Sequence, residues 1–178
     1  MERVTFFIKS SNFAWIDGRS DDPDDLCSHG EVIVQIGDEE LAYFCCTSAA
    51  AMRMLRTLTQ DHEIMDSLCG EQMLPCCGFE MYADETGQNV FISGCPNGVD
   101  FAVHHQDGDL ILTTEDGKKF AVSMEDYRRE VLKFAHQVES FYTQCSIKNQ
   151  SQDEYAWNGY QAFWNEWKRR MEAENEYK

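Results

Sequence analysis

The sequence predicts an α+β fold: a mainly antiparallel sheet of about six to eight short strands, packed by one helix in the first half and two long C-terminal helices. Two observations carry this prediction. Short apolar runs separated by turn residues occupy residues 1–122. From Ser123 onwards, apolar residues recur at helical spacing.

We expect a single globular domain over residues 1–178. The chain is 43% hydrophobic with only three prolines, so it can bury a sizeable core. No change of composition marks a boundary. Residues 1–122 are expected to be strand-rich with a helix near 48–68, and residues 123–177 to be helical.

The N-terminal third predicts three strands. Val4–Ile8 is a short apolar run that ends in polar residues. Asp21–Asp25 contains a proline and four aspartates, so it predicts a loop. Glu31–Ile36 and Leu41–Cys46 flank an acidic turn, which is typical of a hairpin.

The predicted helix of the first half begins at Ala49, where Thr47 or Ser48 can act as the N-cap. Gly70 is expected to end a second short helical piece, since a left-handed residue commonly ends a helix. The apolar residues of that piece are Ile64, Met65 and Leu68.

A series of short strands follows. Asp107 with Gly108 and Asp116 with Gly117 are turn pairs, and they favour hairpins between the later strands. The predicted strands are Phe79–Ala83, Val90–Ser93, Val99–His105, Leu110–Thr114 and Lys119–Val122.

Two helices complete the chain. Ser123 is a predicted N-cap with Asp126 three places on, and an apolar stripe then continues for four turns to Tyr142. A last helix from about Glu154 to Glu174 is rich in aromatic residues. Such a stripe is more typical of core packing than of a binding surface, although it also suits the interface of a homo-oligomer, which the sequence leaves unknown.

Charge is distributed very unevenly along the chain. Residues 57–117 contain twelve carboxylates and no Lys or Arg, so the net charge of −17 divides into −5 before this segment, −12 within it and 0 after it. A field of one sign selects partners but specifies no reaction.

This charge excludes several classes of function. Affinity for nucleic acid depends on Lys and Arg, so we expect no nucleic-acid partner. No nucleotide-binding glycine motif is present. No apolar stretch approaches the roughly 20 residues that span a bilayer, and Met1–Ser10 lacks the features of a signal peptide. We therefore expect a cytoplasmic protein that does not bind membranes.

The eight cysteines are expected to be reduced and mostly buried, because no secretory signal accompanies them. Their spacing differs from that of common zinc sites, and adjacent residues in a strand point to opposite faces. We expect no metal or other cofactor, with one weak alternative at residues that lie close in sequence. Possible ligands close together in the sequence are Cys69, Cys76, Cys77, Cys95, His104 and His105, and the alternative is a site made by four of them, Cys76, Cys77, Cys95 and His104.

Cys95 is also a candidate nucleophile, because it precedes a Pro-Asn-Gly turn. Within a strand, Asp100 and His104 would lie about 13 Å apart, too far to form a triad. Neighbouring carboxylates would also disfavour the thiolate. An enzyme that uses Cys95 with His104 or His105, or a metal site there, is the alternative hypothesis.

The leading hypothesis is a non-enzymatic acidic binding protein that covers a basic surface of another protein, in an inhibitor or immunity-type role. Charge and size suggest this role, and no motif does. The expected contact residues are exposed acids on turns that would be presented together. They are Asp84, Glu85, Asp107, Asp109, Glu115 and Asp116.

Overall fold

A computed structural model of the chain describes residues 1–64, 70–78, 80–151 and 153–175. It confirms the α+β class. The described strands are β1 Phe6–Ala14, β2 His29–Ile36, β3 Glu39–Cys46, β4 Leu74–Pro75, β5 Glu80–Ala83, β6 Val90–Ser93, β7 Gly98–Val99, β8 Phe101–Gln106, β9 Asp109–Thr114 and β10 Lys119–Ser123. The described helices are α1 Thr47–Arg56, α2 Met124–Gln144 and α3 Glu154–Asn175.

Within the described ranges the strands form four antiparallel sheets, in the orders β1-β2-β3, β10-β9-β8, β4-β7 and β5-β6. The predicted hairpin of β2 and β3 is present, with His29 opposite Cys46 and Ile36 opposite Glu39. The hairpins of β8 with β9 and β9 with β10 are present as well. Helix α1 packs against the β1-β2-β3 and β4-β7 sheets, whereas α3 packs against the β5-β6 sheet.

The predicted strand Val99–His105 is interrupted at Asp100. The Asp100 carboxylate accepts hydrogen bonds from the backbone amides of Met73 (3.0 Å) and Phe101 (2.9 Å) and lies 2.8 Å from His62 Nε2. Hydrogen bonds to this buried side chain take the place of the regular hydrogen bonds between strands. Strand β7 therefore ends before Asp100 and β8 begins after it. Sequence periodicity could not detect this break, because all but one of Asp100's partners are distant in the chain.

Helix α1 starts two residues earlier than predicted. Its N-cap is Cys46, and no side chain caps it. The Thr47 hydroxyl instead lies 2.7 Å from Ser28 Oγ in the core. Of the predicted second helical piece, Ile64 is not helical and Gly70 has a positive φ of 66°, while residues 65–69 lie outside the described residues, as does Phe79.

The two C-terminal helices agree closely with the prediction. Ser123 caps α2 by accepting a 3.0 Å hydrogen bond from the Asp126 amide. Helix α2 packs against β1 and α1, and α3 packs against β5 and β6. Gly159 makes the α3 contact possible, because a Cβ there would lie 1.9 Å from the Met81 carbonyl oxygen.

The core collects apolar residues from all four sheets and all three helices. Phe163, Trp167 and Met171 of α3 are buried in it, as the aromatic stripe predicts. Trp157, Tyr160 and Trp164 of the same helix are only partly buried. No helix in the described residues has both the length and the apolar character needed to cross a membrane.

Candidate functional site

The six predicted contact acids lie on three different turns. Asp107 and Asp109 are at the β8–β9 turn, whereas Glu115 and Asp116 are at the β9–β10 turn. These turns sit at opposite ends of β9, about 17 Å apart for a strand of this length. Asp84 and Glu85 belong to the β5–β6 turn of a separate sheet. The turns therefore do not present all six acids together.

Three of the six have internal partners. Arg3 pairs with Asp109 at 2.9 Å, and Lys118 pairs with Asp116 at 3.1 Å. Asp84 accepts hydrogen bonds within its own turn. The other three of the six, Glu85, Asp107 and Glu115, are exposed and form no ion pair with the described residues.

Two acidic turns meet at one end of the molecule. The Lys118 ammonium group lies 2.5 Å from Glu39, which begins β3 directly after the β2–β3 turn, and 3.1 Å from Asp116 of the β9–β10 turn. The carboxylates in and next to these two turns are Asp38, Glu39, Glu40, Glu115 and Asp116, which we call the acidic end. All except Glu39 are exposed, and Lys118 compensates only part of their charge.

The most compact chemical cluster consists of Cys76, Cys77 and Cys95. Their sulfur atoms all lie within 4.8 Å of one another. The Cys77 thiol donates to Cys95 Sγ at 3.2 Å, and the Cys95 amide donates to Cys77 Sγ at 3.0 Å. All three side chains are half-exposed. We call this set the three-thiol cluster.

A short sheet holds the three-thiol cluster together. Strand β4 pairs with β7, and the Cys76 amide donates to the Asn97 carbonyl at 2.8 Å, which places the residues after β4 beside those before β7. Gly94 is required here, because a Cβ would lie 2.3 Å from the Cys77 carbonyl oxygen. Neither Cys76 nor Cys77 lies in a strand, so both thiols can face Cys95, contrary to the expectation that adjacent cysteines diverge.

The three thiols differ in acidity. Hydrogen bonds from the Cys77 thiol, with help from Cys76 and Asn97, lower the pKa of Cys95. The contact with Cys95 raises the pKa of Cys76, and burial raises the pKa of Cys77 to about 11. Cys95 is therefore the thiol of the three whose pKa is lowered, and the largest cause is a hydrogen bond from a neighbouring thiol.

The histidines do not join this cluster. His104 lies 3.7 Å from Asp61 and 3.5 Å from Glu63, and His105 Nδ1 lies 2.6 Å from Asp61. No histidine belongs to the group of ligand atoms found in the described residues. The structure thus brings together three of the four ligands of the weak metal alternative and leaves His104 with the acids. Cys69 lies outside the described residues.

The remaining cysteines are structural. All seven described cysteines are free; Cys27, Cys45 and Cys46 are buried, while the other four are half-exposed, so fewer are buried than the sequence suggests. The pKa of Cys46 is lowered to about 6 by a hydrogen bond from Cys27, with His29 and the start of α1 adding to the effect. Its complete burial keeps this sulfur away from solvent.

Two concave surfaces lie elsewhere. A cleft of about 330 Å³ contains Arg56, His62 and Asp61, but Arg56 is paired with Glu166 and His62 with Asp100. An apolar groove of about 490 Å³ lies between the ends of α2 and α3 and is lined by Trp157 and Tyr160. Neither places an activated nucleophile beside a base.

Comparison of the chain with protein families, with curated proteins and with solved structures gives no match. Only the geometry of the molecule therefore bears on its function. Sequence reasoning missed the meeting of the two acidic turns and the convergence of Cys76 with Cys77. The acidic triplet after Gly37 was a sequence signal for the meeting of the two turns. The convergence of the two cysteines has no such signal and is shown only by the β4–β7 pairing.

Proposed function

We propose that the protein is a non-enzymatic acidic binding protein that covers a basic surface of another protein, in an inhibitor or immunity-type role. The observation that carries the proposal is the ion pair between Lys118, in the β9–β10 turn, and Glu39 at the start of β3, which links the β2–β3 and β9–β10 turns. Carboxylates from two sheets thereby share one end of a molecule whose net charge is −17.

The acidic end suits such a partner for two reasons. Its carboxylates are held on turns of a rigid scaffold, so little ordering is needed when a partner binds. Its excess negative charge can steer a basic surface towards it and raise the association rate by roughly one to three orders of magnitude. Asp84, Glu85, Asp107 and Asp109 stay predicted contacts on the other turns.

The test is a pair of variants with the same change of charge at different places. The first is the double variant Asp38→Lys/Glu115→Lys, and its partner is one captured from native lysate at low salt. We expect the association rate constant to fall by about tenfold or more, with a smaller change in dissociation. Glu85→Lys with Asp107→Lys changes the net charge equally, and we expect a smaller effect from it.

The measurement is surface plasmon resonance at several salt concentrations. If only the Glu85→Lys/Asp107→Lys variant associated more slowly, the contact would lie on the other turns instead of at the acidic end. Unchanged association of both pairs, or capture of no basic protein that elutes as salt rises, would reject the proposed role.

A further inference from the structure

We propose that the three-thiol cluster of Cys76, Cys77 and Cys95 is a binding site for one Zn²⁺ ion. This site is separate from the acidic end and does not depend on the proposed binding role. The inference starts from the position of the sulfur atoms, which come from two segments and converge within 4.8 Å, although Cys77 and Cys95 are 18 positions apart in the sequence.

The geometry fits a thiolate-bound metal. Tetrahedral Zn²⁺ with Zn–S bonds of about 2.3 Å separates its sulfur ligands by about 3.8 Å. The Cys77 and Cys95 sulfurs are 3.2 Å apart and need to move outwards only slightly, and the Cys76 sulfur lies within 4.8 Å of both. Side-chain rotation alone can make this adjustment, since the three side chains are half-exposed.

Glycines allow the backbone segments around the cluster to lie close together. Gly94 and Gly70 let three chain segments meet, because a Cβ on Gly70 would lie 2.3 Å from the Cys95 carbonyl oxygen. This packing presents the thiols at the surface, where an ion can enter. The described residues supply three ligands, and zinc sites with three protein ligands typically keep a water or an exogenous ligand in the fourth place.

The chemistry of the donors agrees with the geometry. Metal binding replaces the thiol protons, so each cysteine that is protonated before binding releases one proton when it becomes a ligand. The positive charge of a bound ion favours loss of the protons from all three thiols.

A disulfide between Cys77 and Cys95 is the competing use of the same atoms. It would need an S–S bond of about 2.05 Å and would employ two of the three thiols. Convergence of all three favours the metal. The two are mutually exclusive at this site, because oxidised sulfurs no longer supply thiolate ligands.

The experiment is a titration of the reduced, metal-free full chain with Cd²⁺ as a spectroscopic probe, followed by competition with Zn²⁺. We expect one ion per chain, with the ultraviolet charge-transfer absorption of thiolate ligands. Cys76→Ser, Cys77→Ser and Cys95→Ser should each weaken binding by more than about tenfold, the scale already reached when an outer-shell partner is lost. Cys145→Ser, at a half-exposed cysteine elsewhere, is the control and should bind normally.

A second measurement uses the unmodified chain, so it does not depend on the folding of any variant. Zn²⁺ should slow alkylation of Cys76, Cys77 and Cys95, mapped by mass spectrometry, and leave Cys145 unchanged. Equal protection of Cys145, binding that none of the three substitutions weakens, or a Cys77–Cys95 disulfide that persists in reductant and prevents uptake would each overturn the proposal.

Discussion

Asp84 and Glu85 are adjacent acids on the β5–β6 turn, and they have different roles. Asp84 Oδ1 accepts hydrogen bonds from the amides of Thr86 (3.1 Å) and Gln88 (3.0 Å), and Asp84 Oδ2 accepts one from Asn89 Nδ2 (2.6 Å). These bonds close the turn in the way that aspartate side chains commonly do. Glu85 is exposed beside it. Negative charge in the sequence alone does not distinguish the two.

We predict that Asp84→Ala lowers the urea midpoint of unfolding, because the turn amides lose their acceptor. Hydrogen bonds from Asn89 and Thr86 hold the pKa of Asp84 well below its usual range. Its stabilising effect is therefore present above the unfolded pKa and is lost as the pH falls. The matched variant Glu85→Ala should leave the midpoint unchanged. Tryptophan fluorescence during urea titration measures both, and equal midpoints would show that Asp84 has no structural role.

Site chemistry at this scale was only partly predictable from the sequence. Cys95 and its turn were recognised, since Pro96 and Asn97 follow it directly. The partners of Cys95 were not, because the period-two rule for strands assigned Cys76 and Cys77 to opposite faces. That rule does not apply where the strand has already ended, as it has at Pro75.

Glu166 joins three elements in the folded chain. Glu166 lies on α3. Its carboxylate accepts hydrogen bonds from Arg56 of α1 (2.7 Å), Arg170 of α3 (2.9 Å) and the Val90 amide of β6 (3.0 Å). Its side chain is 1% exposed. Burial alone would raise its pKa, but the bonds and charge of Arg56, with the other donors, lower the pKa to about 2.

We predict that Glu166→Gln lowers the free energy of unfolding at neutral pH by about 3–5 kcal/mol, because Arg56 and Arg170 are left without their buried counter-charge. In the unmodified protein this stabilisation is present above the ordinary pKa of 4.5 and is lost as the pH falls through about 2. The variant should therefore show a weaker loss of stability in that window.

The control for this prediction is Glu172→Gln. It makes the same change on the same helix, at a side chain that is 65% exposed and 3.9 Å from Lys168. Urea titrations from neutral pH to pH 2 compare the two variants. Parallel pH profiles for Glu166→Gln and the unmodified protein would show that the carboxylate does not supply this stabilisation.

Elements with local signals were the predictable part of the fold. Helix α2 follows from a capping serine and a four-turn apolar stripe, both of which are contained in the element itself. The early start of α1 and the break between β7 and β8 depend on distant groups, Ser28 in the first case and Met73 and His62 in the second. Local patterns contain no information about such partners.

At the scale of the whole molecule, ion pairs offset only part of the acidity. Three exposed cations form ion pairs: Arg3 with Asp109, Lys118 with Glu39, and Arg129 with Asp126. The excess of 17 negative charges remains. Compaction brings these charges closer together than they are in the unfolded chain, so self-repulsion opposes folding.

We predict that the melting temperature rises by several degrees when NaCl is increased from low concentration to near physiological ionic strength. The Debye length shortens from about 30 Å at 0.01 M to about 8 Å at 0.15 M, which screens repulsion across the molecule. Exposed ion pairs are screened too, but each contributes only about 0–1 kcal/mol, so loss of repulsion dominates. Circular dichroism melts measure the effect.

The double variant Asp38→Lys/Glu115→Lys reduces the excess negative charge, and its melting temperature should rise less with salt. A melting temperature that falls with salt would instead mean that ion pairs such as Arg3 with Asp109 outweigh the repulsion among the unpaired acids.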